Sequence, residues 1–164
     1  MNTVVVRSQA ELDSAVSAGA RGIVVDAPRG SWITITGSAQ IAEVLGSSQI
    51  AKVYGSAEIA KVHGSAQIVK VYGSARITEV YDSARITEVY GMARIAGVLA
   101  SARVTSASGT AAVHLRGGAL SYAGDHVAVF VHSADSTWSG GVLVDLRDPD
   151  ETDQKEGNPV STLE

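Results

Sequence analysis

The residues whose types could support catalysis or metal binding are few and lie towards the C-terminal end of the chain. Asp125, His126, His132 and Asp135 form the only cluster of acids and histidines in the sequence. Carboxylates and imidazoles that lie close together can exchange a proton or hold a divalent metal ion. A hydrogen-bonded network in a C-terminal cap explains these residues better than either chemistry. We therefore expect no catalytic residue, metal site or cofactor, and no enzymatic activity.

A row of serines inside a nine-residue repeat is the second candidate for chemistry. From Gly37 to Gly117 nine copies follow one another: GSAQIAEVL, GSSQIAKVY, GSAEIAKVH, GSAQIVKVY, GSARITEVY, DSARITEVY, GMARIAGVL, ASARVTSAS and GTAAVHLRG. Serine occupies position two in seven copies, but no His or Asp recurs beside it to activate a nucleophile. The serines are predicted to bond to the backbone at corners. Position two is serine at Ser38, Ser47, Ser56, Ser65, Ser74, Ser83 and Ser101.

The nonapeptide period is also found in calcium-binding β-rolls, whose repeats resemble GGxGxD. Eight of the nine copies here have no Asp beside the Gly, so calcium binding is not expected. Ice binding would need flat, uncharged threonine ladders, whereas this surface carries Arg, Glu, Lys and Tyr. The repeats therefore point to architecture rather than to a reaction.

The apolar positions of the repeat predict a shared interior. One nonapeptide cannot bury its own apolar side, so successive copies must stack. Positions five and eight are nearly always Ile and Val, and position three is Ala in all but one copy, so these three positions are predicted to face inward. The predicted core ladder consists of Ile41, Ile50, Ile59, Ile68, Ile77, Ile86, Ile95, Val44, Val53, Val62, Val71, Val80, Val89 and Val98.

The length of one coil follows from the bends of the repeat. Gly exchanges with Asp at position one, which indicates a corner, and the odd spacing from five to eight implies a second bend near positions six and seven. Because nine residues cannot enclose both an Ile and a Val, two nonapeptides should form one coil of about 18 residues. Stacking Glu43, Lys61 and Glu79 in one column favours this length, whereas stacking Arg76 on Arg94 opposes it. The sequence thus predicts an all-β fold, a right-handed parallel β-helix or β-solenoid.

The N-terminal stretch VVVRSQAELDSAVSAGARGIVVDAPRGSWITI predicts a strand, a short helix, and two further strands around a Pro-Gly turn. Ser8 and Glu11 have the spacing of a capping box, and apolar residues then recur at helical intervals. This stretch resembles the N-terminal cap of pectate-lyase-like right-handed β-helices. The resemblance implies that the helix covers the open end of the first coil, and we expect no lyase chemistry because no cluster of Asp, Lys and Arg accompanies it.

Four sections are predicted along the chain: an N-terminal cap (1–36), the repeat solenoid (37–117), C-terminal coils and cap (118–147) and a disordered acidic tail (148–164). Strands are expected at 119–122, 127–131 and 142–144, with Phe130 and Trp138 plugging the C-terminal end. The tail is predicted from its polar, acidic and Pro-containing composition.

Two outward positions of the repeat carry the residues most typical of protein interfaces. Tyr recurs at position nine and Arg at position four, and stacked repeats would present them as a regular surface. Stacked side chains can also simply stabilise a sheet, and interleaved Glu79 and Glu88 argue against nucleic acid. The candidate binding residues are Tyr54, Tyr72, Tyr81, Tyr90, Arg76, Arg85, Arg94 and Arg103.

Composition limits the remaining classes of function. The net charge is −4 and arises between Asp145 and Glu156, a segment that contains six acidic and two basic residues. The rest of the chain is therefore nearly neutral. A strong electrostatic case for nucleic acid is therefore missing. There is no Cys, and no run of 18 apolar residues or secretory signal, which predicts a cytoplasmic protein that does not use membranes.

The phrases GSARITEVYDSARITEVYG and HSADSTWSGGVLVDL resemble actinobacterial and actinobacteriophage proteins built from GSATVxAY-type repeats. The resemblance implies a β-solenoid and a phage or mobile-element origin, in the virion or the host cytoplasm, but no activity. The function expected is a non-catalytic scaffold or protein-interaction module that can self-associate. The alternatives are a phage-encoded inhibitor that binds a host protein through a solenoid face, and a carbohydrate-active or nucleic-acid-binding β-helix.

Overall fold

The computed structural model describes residues 3–147, which form a parallel β-solenoid of about eight coils with one short helix at its N-terminal end. The predicted acidic tail, 148–164, lies outside the described residues. The elements are β1 (Thr3–Val6), α1 (Gln9–Ser17), β2 (Gly22–Val25), β3 (Trp32–Ile35), β4 (Gln40–Val44), β5 (Gln49–Val53), β6 (Glu58–Val62), β7 (Gln67–Val71), β8 (Arg76–Val80), β9 (Arg85–Val89), β10 (Arg94–Leu99), β11 (Arg103–Ala107), β12 (Ala112–Arg116), β13 (Ala119–Val131) and β14 (Thr137–Asp145).

The strands form two stacks that lie on opposite sides of each coil. Face 1 contains β1 and the even-numbered strands to β12, and face 2 contains the odd-numbered strands from β3 to β11. The two stacks join in β13, whose first part pairs with β11 and whose last part pairs with β12. β14 pairs with β13 along both parts and so ends both faces. Consecutive nonapeptides therefore alternate between the faces.

The predicted coil of about 18 residues is confirmed by the strand register. Ile41 pairs with Ile59 and Ile59 with Ile77, each one coil apart, and these strands pair in parallel. The paired positions are four, five, seven and eight, and position six is skipped. Positions six and seven consequently both face outward, so the expected second bend lies inside a continuous five-residue strand.

The interior is made of branched aliphatic side chains and alanines. All members of the predicted core ladder are at most 2% exposed, and so are the position-three alanines of the central coils, such as Ala57 and Ala75. Each fully buried Ile or Val contributes roughly 1.5–3 kcal/mol of hydrophobic free energy. Small residues at position three let the chain turn the corner without a gap between the two faces.

The corners need a left-handed backbone at position one, as the Gly/Asp exchange predicts. Gly55 has a φ of 79°, and a Cβ there would lie 2.7 Å from the carbonyl oxygen of Gly37 in the preceding coil. Asp82 and Ala100 adopt the same conformation with φ of 58° and 53°. A hydrogen bond offsets the cost of the positive φ at Asp82, because its carboxylate accepts from the Gly64 N–H at 3.2 Å. Glycine thus meets both a conformational and a steric requirement.

The backbone, and not the serine hydroxyl, makes the corner bonds at position two. The N–H of Ser56 donates to the carbonyl of Gly37 at 2.7 Å, and the N–H of Ser74 donates to that of Gly55 at 2.9 Å. Thr110 adds a hydroxyl bond to the Gly91 carbonyl at 3.3 Å. Any residue except proline can supply the N–H, so position two tolerates serine, methionine and threonine.

Two buried serines replace alanine where a regular coil meets an irregular one. Ser48, at position three, accepts a hydrogen bond from the Ala27 N–H at 2.9 Å, in the non-repeat coil before it. Ser136 accepts one from the Gly117 N–H at 2.9 Å, at the other end of the repeats. Both serines are fully buried. Each satisfies a backbone N–H next to an irregular part of the chain, and this explains the one exception to alanine in the repeats.

The N-terminal helix covers the end of the core. Ser8 caps it by accepting from the Glu11 N–H at 3.3 Å, and the Glu11 carboxylate accepts from the Arg7 N–H at 2.7 Å. Leu12 and Ala15 are buried against the first coils. At nine residues, α1 is too short to span a membrane, and no other helix occurs in residues 3–147.

The C-terminal coils shorten and depart from the expected strands. β13 runs without a break where two strands were predicted, and its register with β12 advances by 16 residues, from Ala112 to Ala128. Trp138 is 4% exposed and belongs to the core, as expected. The prediction that Phe130 plugs the end is wrong, because Val129 and Val131 take the inward positions and strand alternation turns Phe130 outward.

Candidate functional site

A ladder of tyrosines follows one corner of the solenoid, which we call the tyrosine edge (Tyr54, Tyr72 and Tyr90). The rings stack in adjacent coils with centroid distances of 5.1 and 4.9 Å and interplanar angles of 8° and 2°. Because the ring faces are occupied by one another, a partner would meet ring edges and hydroxyl groups. The fourth predicted tyrosine, Tyr81, lies at the opposite corner and stacks on His63 at 5.1 Å.

The predicted arginines form one pair on each face. Arg76 and Arg94 are register partners on face 1, and Arg85 and Arg103 are register partners on face 2. All four side chains are exposed, and none makes a salt bridge with another described residue. Like charges on neighbouring strands repel, so each pair is a local concentration of positive charge.

At position seven most charged side chains have an opposite charge in a neighbouring coil, although Lys52 and Lys70 are register partners. Glu43, Lys61 and Glu79 alternate along face 1, as the 18-residue coil predicts. On face 2, Lys70 forms a salt bridge with Glu88 at 3.7 Å. The exposed pair contributes little to stability.

Two recesses share the outer surface of face 1. The first, of about 500 Å³, lies at the C-terminal end of the repeats, and we call it the face 1 recess. The second, of about 520 Å³, lies nearer the N-terminus and shares Arg76 and Thr78 with the first. Residues that line the face 1 recess include Arg76, Thr78, Arg94, Thr110, Ala112, His114, Ala128 and Phe130.

An aromatic pair and a histidine pair stand beside the face 1 recess. The His114 ring stacks on Phe130 with a centroid distance of 4.2 Å, and its Nδ1 lies 2.9 Å from Nε2 of His132. Burial, then the charges of His132 and Arg116, hold the pKa of His114 below its usual value of about 6.5. Burial and Arg116 lower the pKa of His132 in the same way. The lowered pKa values favour the neutral form of both rings, in which one ring donates an N–H to the other across this hydrogen bond.

The acid and histidine residues singled out from the sequence do not form one site. His132 bonds to His114, a residue that sequence reasoning passed over, while Asp125 and His126 are exposed at the corner between the two parts of β13. Within residues 3–147 no group of three or more His, Asp or Glu is placed to hold a metal ion. His132 is hydrogen-bonded, but its partner His114 lies in the preceding coil and is not one of the residues singled out from the sequence.

The face 1 recess was also not predicted, although the sequence contains a signal for it. Position four is Arg in four consecutive copies and then Ala in the last copy, GTAAVHLRG, which also introduces His114. A change from long to small side chains in one stacked column leaves a hollow. The register of the coils places Ala112 directly above Arg94.

No family model, curated protein or solved structure matches this chain. The relationship to actinobacterial and phage repeat proteins and the likeness of the cap to pectate-lyase-like β-helices stay predictions from the sequence.

Proposed function

We propose that this protein is a non-catalytic scaffold that assembles end to end with further copies of itself. One observation supports this most directly: the faces end differently. Among residues 3–147, no strand pairs with the outer edge of β1 or of β14. The first strand of face 2 is instead covered by Gln9 of the helix. Face 1 consequently offers an unpaired strand at both ends of the solenoid.

The direction of the strands suits a continuous assembly. All strands of face 1 are parallel, so placing β1 of one copy beside the face 1 part of β14 of another extends the sheet without reversing it. Each contact joins two different surfaces, and such heterologous contacts generate open filaments unless a rotation closes them.

Apolar side chains accompany both free edges. Val5 on β1 is 52% exposed, and Val142 and Leu146 at the β14 end are 47% and 50% exposed. A cleft of about 510 Å³ between β1 and α1 is lined mainly by valines and alanines, including Val4 and Ala18. Burying these groups against a second copy would supply the hydrophobic gain that four residues of strand pairing lack alone.

Sedimentation velocity over a range of protein concentrations tests this assembly. The wild-type protein should increase in mass with concentration, and Val5→Lys at one end, or Val142→Lys with Leu146→Lys at the other, should each keep it monomeric. Met92→Lys is the matched control, because Met92 is 63% exposed but lies in a corner between the ends. A mixture of the two end variants should stop at dimers, since each copy retains one competent end.

Two results would refute the proposed assembly. One is a wild-type protein that stays monomeric at the highest soluble concentration. The other is an increase in mass that Met92→Lys abolishes as fully as the end variants do, because the contact would then involve a corner and not the ends.

A second candidate function is the binding of a protein partner along the tyrosine edge. It is favoured by the row of stacked hydroxyl-bearing rings, which presents the same group once per coil. Replacing Tyr54, Tyr72 and Tyr90 by Ser should abolish capture of that partner from a native-host extract while circular dichroism stays unchanged. A scaffold that only assembles through its ends would show no difference between the wild type and this variant in either measurement.

A further inference from the structure

The face 1 recess exists because one column of side chains changes size. Position four of face 1 carries Arg76 and Arg94 in adjacent coils, and their successors in the same column are Ala112 and Ala128. The two alanines leave a hollow beside Arg94 that the earlier coils fill with long side chains. A recess of about 500 Å³ is within the range of sites for small molecules.

The floor and walls of the recess differ in chemistry. Ala112, Ala128 and Ala96 form an apolar floor, while the hydroxyl residues Thr78 and Thr110 border it. His114 and Phe130, stacked on each other, close its C-terminal side. A ligand that fills it therefore needs a compact apolar part as well as a polar group.

Positive charge is concentrated at the other side of the recess. Arg76 and Arg94 are exposed neighbours, and no described carboxylate forms a salt bridge with either. Glu58 is the register partner of Arg76 on the side away from the recess and lies nearer to Arg76 than to Arg94. The positive charge of Arg94 is therefore the less compensated of the two. An anion between the guanidinium groups would relieve their mutual repulsion.

We propose that the face 1 recess binds a phosphate monoester, with the phosphate between Arg76 and Arg94 and its apolar substituent over Ala112 and Ala128. Two guanidinium groups can donate four or more hydrogen bonds and together balance a dianion, whereas a carboxylate is satisfied by one arginine in a bidentate pair. Arg76 and Arg94 lie on β8 and β10, two or more strands away from β14, although Ala128 is the register partner of Val142. The proposal therefore does not rest on self-assembly.

Isothermal titration calorimetry with phenyl phosphate tests the site, with inorganic phosphate and benzoate as comparison ligands. The wild type should bind phenyl phosphate saturably at one site, and more tightly than either comparison ligand. Arg94→Ala or Arg76→Ala should weaken that binding roughly tenfold or more, since each removes charge-assisted hydrogen bonds. Ala112→Leu, which fills the hollow at an outward position, should abolish it.

The second arginine pair supplies a matched control. Arg85→Ala with Arg103→Ala removes the same two charges from neighbouring strands of face 2, away from the recess. This variant should retain wild-type affinity within about twofold, and thermal unfolding should show that all variants fold. Equal affinity for inorganic phosphate and phenyl phosphate, equal losses in the two arginine pairs, or no saturable binding at all would overturn the proposal.

Discussion

The side-chain amide of Gln9 pairs with both backbone polar groups of Thr34. Its Oε1 accepts from the Thr34 N–H at 2.7 Å, and its Nε2 donates to the Thr34 carbonyl at 3.1 Å. A neighbouring strand would make the same two bonds, so a single side chain closes the first edge of face 2. Free strand edges recruit other strands, and their coverage is a common protection against unwanted association.

Gln9→Ala should therefore destabilise the fold and open a second edge for association. The loss of two partly buried hydrogen bonds is expected to cost about 1–3 kcal/mol in the free energy of unfolding, measured by urea denaturation. Asp13→Ala is the control, because it removes only the exposed contact that Gln9 makes with Asp13 at 2.8 Å. If the two variants lost equal stability, the bonds to Thr34 would have no special role.

Ser48→Ala should cost about 1–3 kcal/mol, because it leaves the buried N–H of Ala27 without an acceptor. Ser47→Ala makes the same chemical change one residue earlier, at position two, where the side chain is only partly buried. It should change the unfolding free energy by less than about 0.5 kcal/mol. Similar losses in both variants would show that the buried bond to Ala27 contributes nothing particular.

Two substitutions at position one should change the free energy of unfolding in opposite directions. Gly55→Ala forces a Cβ to within 2.7 Å of the Gly37 carbonyl oxygen at a positive φ, and we expect a loss of more than about 2 kcal/mol. Ala100→Gly removes an L-residue from a left-handed conformation and should raise stability by roughly 0.5–1 kcal/mol. Differential scanning calorimetry of both variants measures the two changes in stability. A loss of stability in Ala100→Gly would contradict the backbone strain at that corner.

The His114 and His132 pair should make stability depend on pH in the mildly acidic range. Because the pKa of each histidine is lowered in the folded protein, the unfolded chain binds more protons once the pH falls below the usual value of about 6.5. Unfolding free energy should therefore be lost as pH drops from about 7 towards 5, and His132→Gln should flatten that dependence. Urea midpoints across this range provide the measurement, and a wild-type midpoint that stays constant would refute it.

Asp145 responds in a separate, more acidic range. Hydrogen bonds from Arg147, which also lies over the Trp138 ring at 5.6 Å, lower the pKa of this carboxyl. The stability it adds is present above its usual pKa and is lost as the pH falls through the lower folded value. His132→Gln should leave this acid-range loss in place, which separates the two effects.

The regular part of the fold could be predicted because each repeat position has one environment. Ile68 and Val71 have the same neighbours as their counterparts one coil away, so nine copies of the same pattern identify the buried side. Stacking of Tyr54 on Tyr72, and of charges at position seven, followed from the coil length alone. The repeat period therefore predicted both the buried positions and the columns of stacked surface side chains.

The ends could not be predicted with the same success, because there the environment of a residue depends on a shortened coil. The 16-residue step between β12 and β13 makes Phe130, and not His132, the register partner of His114, and no pattern in the sequence indicates a change of two residues per coil. The pairing of Gln9 with Thr34 joins a helix to a strand 25 residues away. Such contacts depend on where the helix packs, which local sequence does not determine.

The alternation of nonapeptides between the two faces restricts how this chain can change in length. Inserting or deleting one nonapeptide would transfer every later repeat to the other face. Between Arg94 and Ala112 the change would separate these register partners, and before Tyr54 it would move each tyrosine to the opposite corner. Gain or loss of two nonapeptides together would only lengthen or shorten the solenoid by one coil. The N-terminal and C-terminal sections would then pack against the same faces as before. Viable natural variants of this protein should therefore differ in length by whole coils, that is, by an even number of nonapeptides.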